Sequence, residues 1–258
     1  MSMLIQEMAL QLDIATQCHE ATPQLSAQQP FDLATAYRIQ QAGIRLRQQR
    51  GERVVGLKLG FTSRAKMIQM GVDALIWGEL TDAMQLADGG TLDLSRLIHP
   101  RVEPEIAFIT AIDIDRPLSL AEAGLALAGV APALEIIDSR YRDFRFSLQD
   151  VVADNCSSAR YVIGPLCAPQ AALDNLGVVL RFDGRPVQIG SSAAILGQPL
   201  RALAEISRLL HQEQRVLPAG SLILAGAATA AEALRPGLHV SVEVAGLGGC
   251  AFTTGEPT

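Results

Sequence analysis

The sequence is short of almost everything that marks a familiar chemistry. Four cysteines (Cys18, Cys156, Cys167, Cys250) lie far apart with no CxxC pair, so neither a zinc knuckle nor a disulfide framework is suggested. Four histidines (His19, His99, His211, His239) are equally scattered. No HExxH, phosphate-binding P-loop or GxSxG nucleophile elbow occurs. Of the 258 residues only 4% are aromatic and 19% charged, with 21 Lys+Arg against 27 Asp+Glu and a net charge of −6. There is no basic cluster, so the electrostatic footprint of a nucleic-acid binder is missing. The longest apolar stretches, such as Ala123 to Leu134, fall far short of the ~20 residues a membrane span needs. The opening segment, MSMLIQEMALQLDIATQ, carries acids and glutamines where a signal peptide needs a basic start and a continuous apolar core. A cytoplasmic protein is expected, whose chemistry must come from carboxylates, Lys, Arg and backbone.

What the chain does have is apolar mass. At 49% hydrophobic residues it suits one large compact unit burying roughly three quarters of its unfolded surface. Residues 3–18 and 31–49 read as helices, the second with apolar positions near helical spacing and Gly51 as a stop. The stretch ATPQLSAQQP between them reads as a polar loop. From Val54 the texture changes to short β-like runs punctuated by glycine: VVGLKLGFT, RVEPEIAFIT, SARYVIG, LGVVLRFDGRPVQIG, GSLILAG and HVSVEVAGLGGCAFT. Two stretches, 119–137 and 199–214, read as helices among them. Asp183–Gly184 is a hairpin turn signal between apolar strands. No alternating βα rhythm is present, so a doubly wound parallel sheet is not expected. The expectation is α+β: a helical N-terminal segment (1–50), then a catalytic unit (51–258) built as a mixed or antiparallel β-roll with outer helices.

The run RVEPEIAF (101–108) holds two glutamates in apolar surroundings. On a strand, Arg101, Glu103, Glu105 and Ala107 share one face and Val102, Pro104, Ile106 and Phe108 the other. Glu103 and Glu105 then stand roughly 6.6–7 Å apart at the Cα. They could form a solvated face beside Arg101, or flank a cation that relieves their repulsion. Glu135, in APALEIIDSRY, sits in a context too apolar for an unpaired charge and requires an Arg, a Lys or a metal. Three carboxylates suit a hard divalent ion such as Mg²⁺ or Mn²⁺. Lys58, alone in VVGLKLGFTS, is either a lysine snorkelling at a strand edge or a desolvated cation facing a substrate carboxylate or a developing enolate. In VVADNCSSAR, Asp154 and Asn155 either order a turn or help Asn155, Ser157 and Ser158 line a site.

Taken in order, GLKLGFTS, IHPRVEPEIAF, PALEIIDSRY, VVADNCSSARYVIG, LGQPL and AGSLILAGAAT resemble the 2-keto-4-pentenoate hydratase / 2-oxo-3-hexenedioate decarboxylase family, within the fumarylacetoacetate hydrolase superfamily. The resemblance runs from about residue 30 to 252. It implies the β-roll of the fumarylacetoacetase C-terminal domain, Mg²⁺ or Mn²⁺ on Glu103, Glu105 and Glu135, and Lys58 and Glu105 as catalytic groups. DSRY, IHP and FRFSLQDVVADN look closer to the decarboxylase branch. That branch removes CO₂ from 2-oxo-3-hexenedioate (4-oxalocrotonate) in meta-cleavage degradation of aromatic compounds. The substrate implied is a small 2-oxo dicarboxylic acid that carries its own electron sink. Arg140, beside Tyr141, is the candidate for holding the distal carboxylate bidentately, with Asp138 as its alternative partner; Lys58, Tyr141, Asn155, Ser157 and Ser158 complete the substrate-binding set. Gln198, Cys156 and Glu232 depart from the family pattern without removing any of these groups. A homo-oligomer, and association with the hydratase of the same route, are further family-level expectations. The alternatives are the hydratase itself, a carbon–carbon bond hydrolase, or a non-catalytic partner subunit.

Overall fold

The protein is described by a computed structural model covering residues 2–63, 75–169 and 172–255. Three helices come first: α1 (Met3–Cys18), α2 (Leu25–Gln28) and α3 (Leu33–Gln49). Helix α1 buries Ile5, Met8, Leu12 and Ala15 and stops at His19, whose backbone turns left-handed. Helix α3 starts at Asp32, whose carboxylate accepts the Thr35 N–H at 2.8 Å. The short α2 corrects the loop expected there. Leu25 is buried, and Ser26 donates through its N–H and its hydroxyl to the Asp150 carboxylate at 2.9 and 2.6 Å, which is enough to fix one turn.

The rest is strand-rich: β1 (Val54–Gly60), β2 (Ile76–Thr81), β3 (Thr91–Leu92), β4 (Arg101–Thr110), helix α4 (Leu120–Leu125), β5 (Leu127–Ile137), helix α5 (Leu148–Ala153), β6 (Ser158–Ile163), β7 (Gly177–Phe182), β8 (Arg185–Ser191), helix α6 (Leu200–Gln212), β9 (Leu222–Ala227), β10 (Glu232–Ala233), β11 (His239–Val244) and β12 (Gly248–Thr254). One sheet runs β2-β1-β9-β4-β5-β6 with β10 pairing β4; the other runs β3-β12-β11-β7-β8. Most pairs are antiparallel, while β1–β9 and β12–β3 are parallel. The result is the mixed β-roll with outer helices. Asp183 and Gly184 both have positive φ at the β7–β8 turn, as a two-residue hairpin matched to strand twist requires.

Residues 119–137 overturn the helical reading. Only Leu120–Leu125 is helical; Leu127–Ile137 forms β5, paired to β4 on one side and β6 on the other. The Ala/Leu composition favours helix locally. A strand buried on both faces, however, shows a continuous apolar run with no period to distinguish it.

Two faces of β4 then serve two purposes. Val102, Ile106 and Phe108 point into the main core, where Leu134 and Ile136 of β5 meet Leu180, Val240 and Phe252 of the smaller sheet. Glu103, Glu105 and Ala107 occupy the other face, as strand alternation requires.

Candidate metal centre and active site

The β4–β5 register sets Glu103 directly opposite Glu135. Like charges facing across an antiparallel pair are destabilising, so this placement demands a cation. Glu105 joins them: one oxygen from each of the three carboxylates lies within 4.8 Å of the others, and all three residues are buried. A distortion of the neighbouring strand places Glu105. Between Glu105↔Ala227 and Ala107↔Leu224, β9 carries one residue more than β4, a bulge in which Gly226 adopts φ +109°. Its N–H, released from the ladder, donates to Glu105 Oε2 at 2.8 Å. A Cβ at Gly226 would lie 2.1 Å from Thr62 Oγ1, so only glycine fits this site-adjacent bulge.

Lys58 sits on β1, between β2 and β9, and not at a strand edge. It is 4% exposed. Its Nζ lies 3.0 Å from Glu135 Oε2 and donates to the Cys156 carbonyl at 3.1 Å. The cation that Glu135 requires is therefore a lysine within the chain. Burial acts to lower the Lys58 pKa, but the adjacent carboxylates, Glu135 foremost, outweigh it and hold the ammonium above its ordinary value. Burial, then the charge of Glu135, pushes Glu105 well above the usual carboxylate range, against the pull of Lys58. Burial raises Glu135 as well.

Donor supply tests whether a metal fits. Among the described residues, Glu105 Oε1 and Glu135 Oε1 are buried with no hydrogen-bond donor. An all-oxygen set with unsatisfied lone pairs suits Mg²⁺ or Mn²⁺. Glu103, Glu105 and Glu135 could hold one.

A cavity of about 320 Å³ opens over the cluster. Lys58, Glu103 and Ser157 line it with Phe61, Phe146 and Val151, while Glu105 and Glu135 belong to the cluster without lining the cavity. Two larger cavities of about 430 Å³ lie beside α1 and beside β1, and none of the cluster residues lines them. Asn155, Cys156 and Ser157 have consecutive positive φ values of 49°, 53° and 58°, a costly backbone path for residues with side chains. Asn155 helps hold it by taking the Glu79 N–H at Oδ1 and giving its amide to the Glu79 carbonyl, both at 2.8 Å. The turn presents the Cys156 carbonyl to Lys58 and brings Ser157 to the cavity wall. Among the described residues, the Ser157 hydroxyl has no partner. Burial pushes the Cys156 thiol up to about 12, which keeps it neutral.

Other residues expected at the site stand elsewhere. Arg140 is buried with its guanidinium committed: it pairs with Asp154 and donates to the Asp138, Asp154 and Ser158 carbonyls. Asp138 is occupied in turn by the Ile98 and His99 N–H groups. Tyr141 is fully buried and donates to the Asp150 carbonyl at 3.1 Å. Asn155 is spent on β2, and Ser158 is buried without lining the cavity. Arg101, passed over in the sequence as a neighbour of the glutamates, does line it. Strand alternation had already placed it on the glutamate face.

Fold and cluster together define a class: metal-dependent enzymes built on a mixed β-roll. The chain belongs to the fumarylacetoacetate (FAA) hydrolase C-terminal family, which it matches over residues 83–254. It is 53% identical over 255 residues to a 4-oxalocrotonate decarboxylase from Pseudomonas sp, covering 98% of this chain and 100% of that one. A 2-keto-4-pentenoate hydratase from Paraburkholderia xenovorans (strain LB400) is 39% identical over 216 residues, 83% of this chain and 80% of the relative. The solved 4-oxalocrotonate decarboxylase from Pseudomonas putida G7, complexed with magnesium and adipate, superposes with a TM-score of 0.94 at 37% identity, covering 97% of each chain.

Proposed function

We propose that the chain removes CO₂ from 2-oxo-3-hexenedioate, giving 2-hydroxypenta-2,4-dienoate, with Mg²⁺ or Mn²⁺ held by Glu103, Glu105 and Glu135. The observation that carries this reading is the buried Lys58–Glu135 pair inside a cluster of three carboxylates, in a chain whose relatives at 53% and 44% identity are 4-oxalocrotonate decarboxylases. A bound divalent cation supplies Lewis-acid polarisation of a carbonyl oxygen.

The chain's own groups do the rest. When the C6 carboxylate leaves as CO₂, the electron pair of the broken bond passes through the conjugated double bond to the C2 oxygen. Lys58, kept charged by its carboxylate neighbours, offers a fixed positive charge to that developing oxyanion in a water-poor site. A proton from solvent completes the dienol. Ser157 Oγ, without a partner among the described residues, is a donor available to the C1 carboxylate. The apolar wall of Phe61, Phe146 and Val151 keeps water from the reacting carbons.

Placement in the cytoplasm and assembly with further copies of the chain, or with the hydratase that consumes the product, belong to the same reading. Four free cysteines fit a reducing compartment, and no helix among the described residues is long and apolar enough to cross a membrane. Metal-stripped protein mixed with 2-oxo-3-hexenedioate tests the reaction: CO₂ and dienol should form only when Mg²⁺ or Mn²⁺ is restored. Consumption of 2-hydroxypenta-2,4-dienoate without CO₂ release from the diacid would establish the hydratase instead.

A further inference from the structure

With Arg140 committed to Asp154, the group that recognises the far end of a six-carbon diacid must lie elsewhere. We infer that Arg101 is that group: a specificity-determining residue that binds the distal carboxylate at the rim of the cavity. The inference rests on the proposed reaction for the identity of the substrate, and on four observations for the residue.

Arg101 lines the same cavity as Lys58 and Glu103. It stands two residues before Glu103 on β4, hence on the same strand face and roughly 6.6–7 Å away at the Cα. An extended six-carbon diacid is about as long as that step, so an acid anchored by one end at the carboxylate–lysine cluster carries its other end to Arg101. The guanidinium makes no ion pair among the described residues; its carbon instead lies 4.8 Å over the ring of Phe144, which leaves its N–H edge free for a bidentate carboxylate. Phe144 is held for this purpose. Asp143 and Phe144 have φ of 58° and 56°, an uncommon conformation for two successive side-chain-bearing residues. The Phe144 ring packs between His99 at 5.2 Å and Phe146 at 5.8 Å. A ring fixed under an exposed arginine removes part of the ordering entropy that binding would otherwise cost.

Because the distal carboxylate becomes neutral CO₂, Arg101 holds the ground state more firmly than the transition state. Its loss should therefore raise KM without lowering kcat.

The test compares the Mg²⁺-loaded protein with its Arg101→Met and Arg101→Lys variants, titrating adipate (two carboxylates) and hexanoate (one) as ligands. Arg101→Met should weaken adipate about tenfold, as for a partly exposed charge-assisted contact, and leave hexanoate unchanged; Arg101→Lys should fall between. On 2-oxo-3-hexenedioate the Met variant should show a raised KM and an undiminished kcat. Equal weakening of both ligands, or no change for adipate, overturns the assignment. Since binding is read without turnover, a wild-type protein that releases no CO₂ refutes the proposed reaction while the two titrations still decide the role of Arg101.

Discussion

Lys58→Met is the most informative perturbation of the site. The ammonium is 3.0 Å from Glu135 Oε2, with side chains 5% and 0% exposed, so water cannot replace it. Removing one partner of a buried pair costs about 3–5 kcal/mol, because the remaining charge is left without compensation. Glu135 can relieve part of this by taking a proton, so about 3 kcal/mol is expected near pH 8. At about 2–4 °C per kcal/mol for a chain of this size, the metal-free variant should melt roughly 6–12 °C below wild type. Lowering the pH toward 5 should shrink the gap, since protonating Glu135 removes the orphaned charge. The catalytic effect should be distinct. Loss of one fixed charge at a developing oxyanion costs on the order of 10²–10³ in kcat. Metal affinity should not fall, because an ammonium beside a divalent ion repels it. Melting curves, Mn²⁺ titration and CO₂ release on the same preparations separate these effects. A variant that melts like wild type and keeps kcat within tenfold would refute the role given to Lys58. So would one that loses its metal while its turnover per bound ion is unchanged.

Glu105→Gln should abolish metal-dependent turnover while circular dichroism stays native and the metal-free melting temperature holds or rises, since one repelling charge is gone. The pH dependence of the metal-free protein follows from folded pKa values raised by burial: Glu105 well above the usual range, Glu135 above it, and Asp154 at about 6. Between the unfolded and folded values the folded state binds more protons, so these groups lend stability below pH 4–5 that is lost as pH rises past 6. Mg²⁺ should accordingly raise the melting temperature strongly at pH 8 and little at pH 5, where protons compete for its ligands; the opposite trend would exclude the carboxylates as its site. Arg140→Met should lower stability by about 3–5 kcal/mol through the stranded Asp154 and leave the KM for diacids unchanged in protein kept below its melting point. Gly226→Ala, forced against Thr62 Oγ1, should cost both stability and metal affinity by turning the 226 N–H away from Glu105; a variant of wild-type affinity would detach the bulge from the site.

How much of this was legible in the sequence depended on how local the signal was. The strand carrying Glu103 and Glu105 was readable to its ends, Arg101 and Thr110, because period-two alternation is written in adjacent residues. Helix α1 and the Asp183–Gly184 hairpin were readable from signals that are equally local. The strand carrying Glu135 was not, since burial on both faces erases the period and its alanines and leucines favour helix; Pro132 in its middle was the local warning against a helix. Within the site, the need of Glu135 for a cation followed from its apolar context, but that Lys58 meets it depends on the strand order β1-β9-β4-β5. The same non-locality misdirected Arg140, which the sequence sets beside Asp138 and the fold gives to Asp154. The Gly226 bulge shows in the sequence only as a glycine within an apolar strand.

The most direct measurement titrates Mn²⁺ into metal-stripped protein while bound ion and initial CO₂ release from 2-oxo-3-hexenedioate are recorded on the same samples. The rate should climb in proportion to bound ion and level off at one ion per chain, and Glu135→Gln should remove both binding and rate. Full CO₂ release with no ion bound, or none at saturation, would contradict a site built on Glu103, Glu105, Glu135 and Lys58.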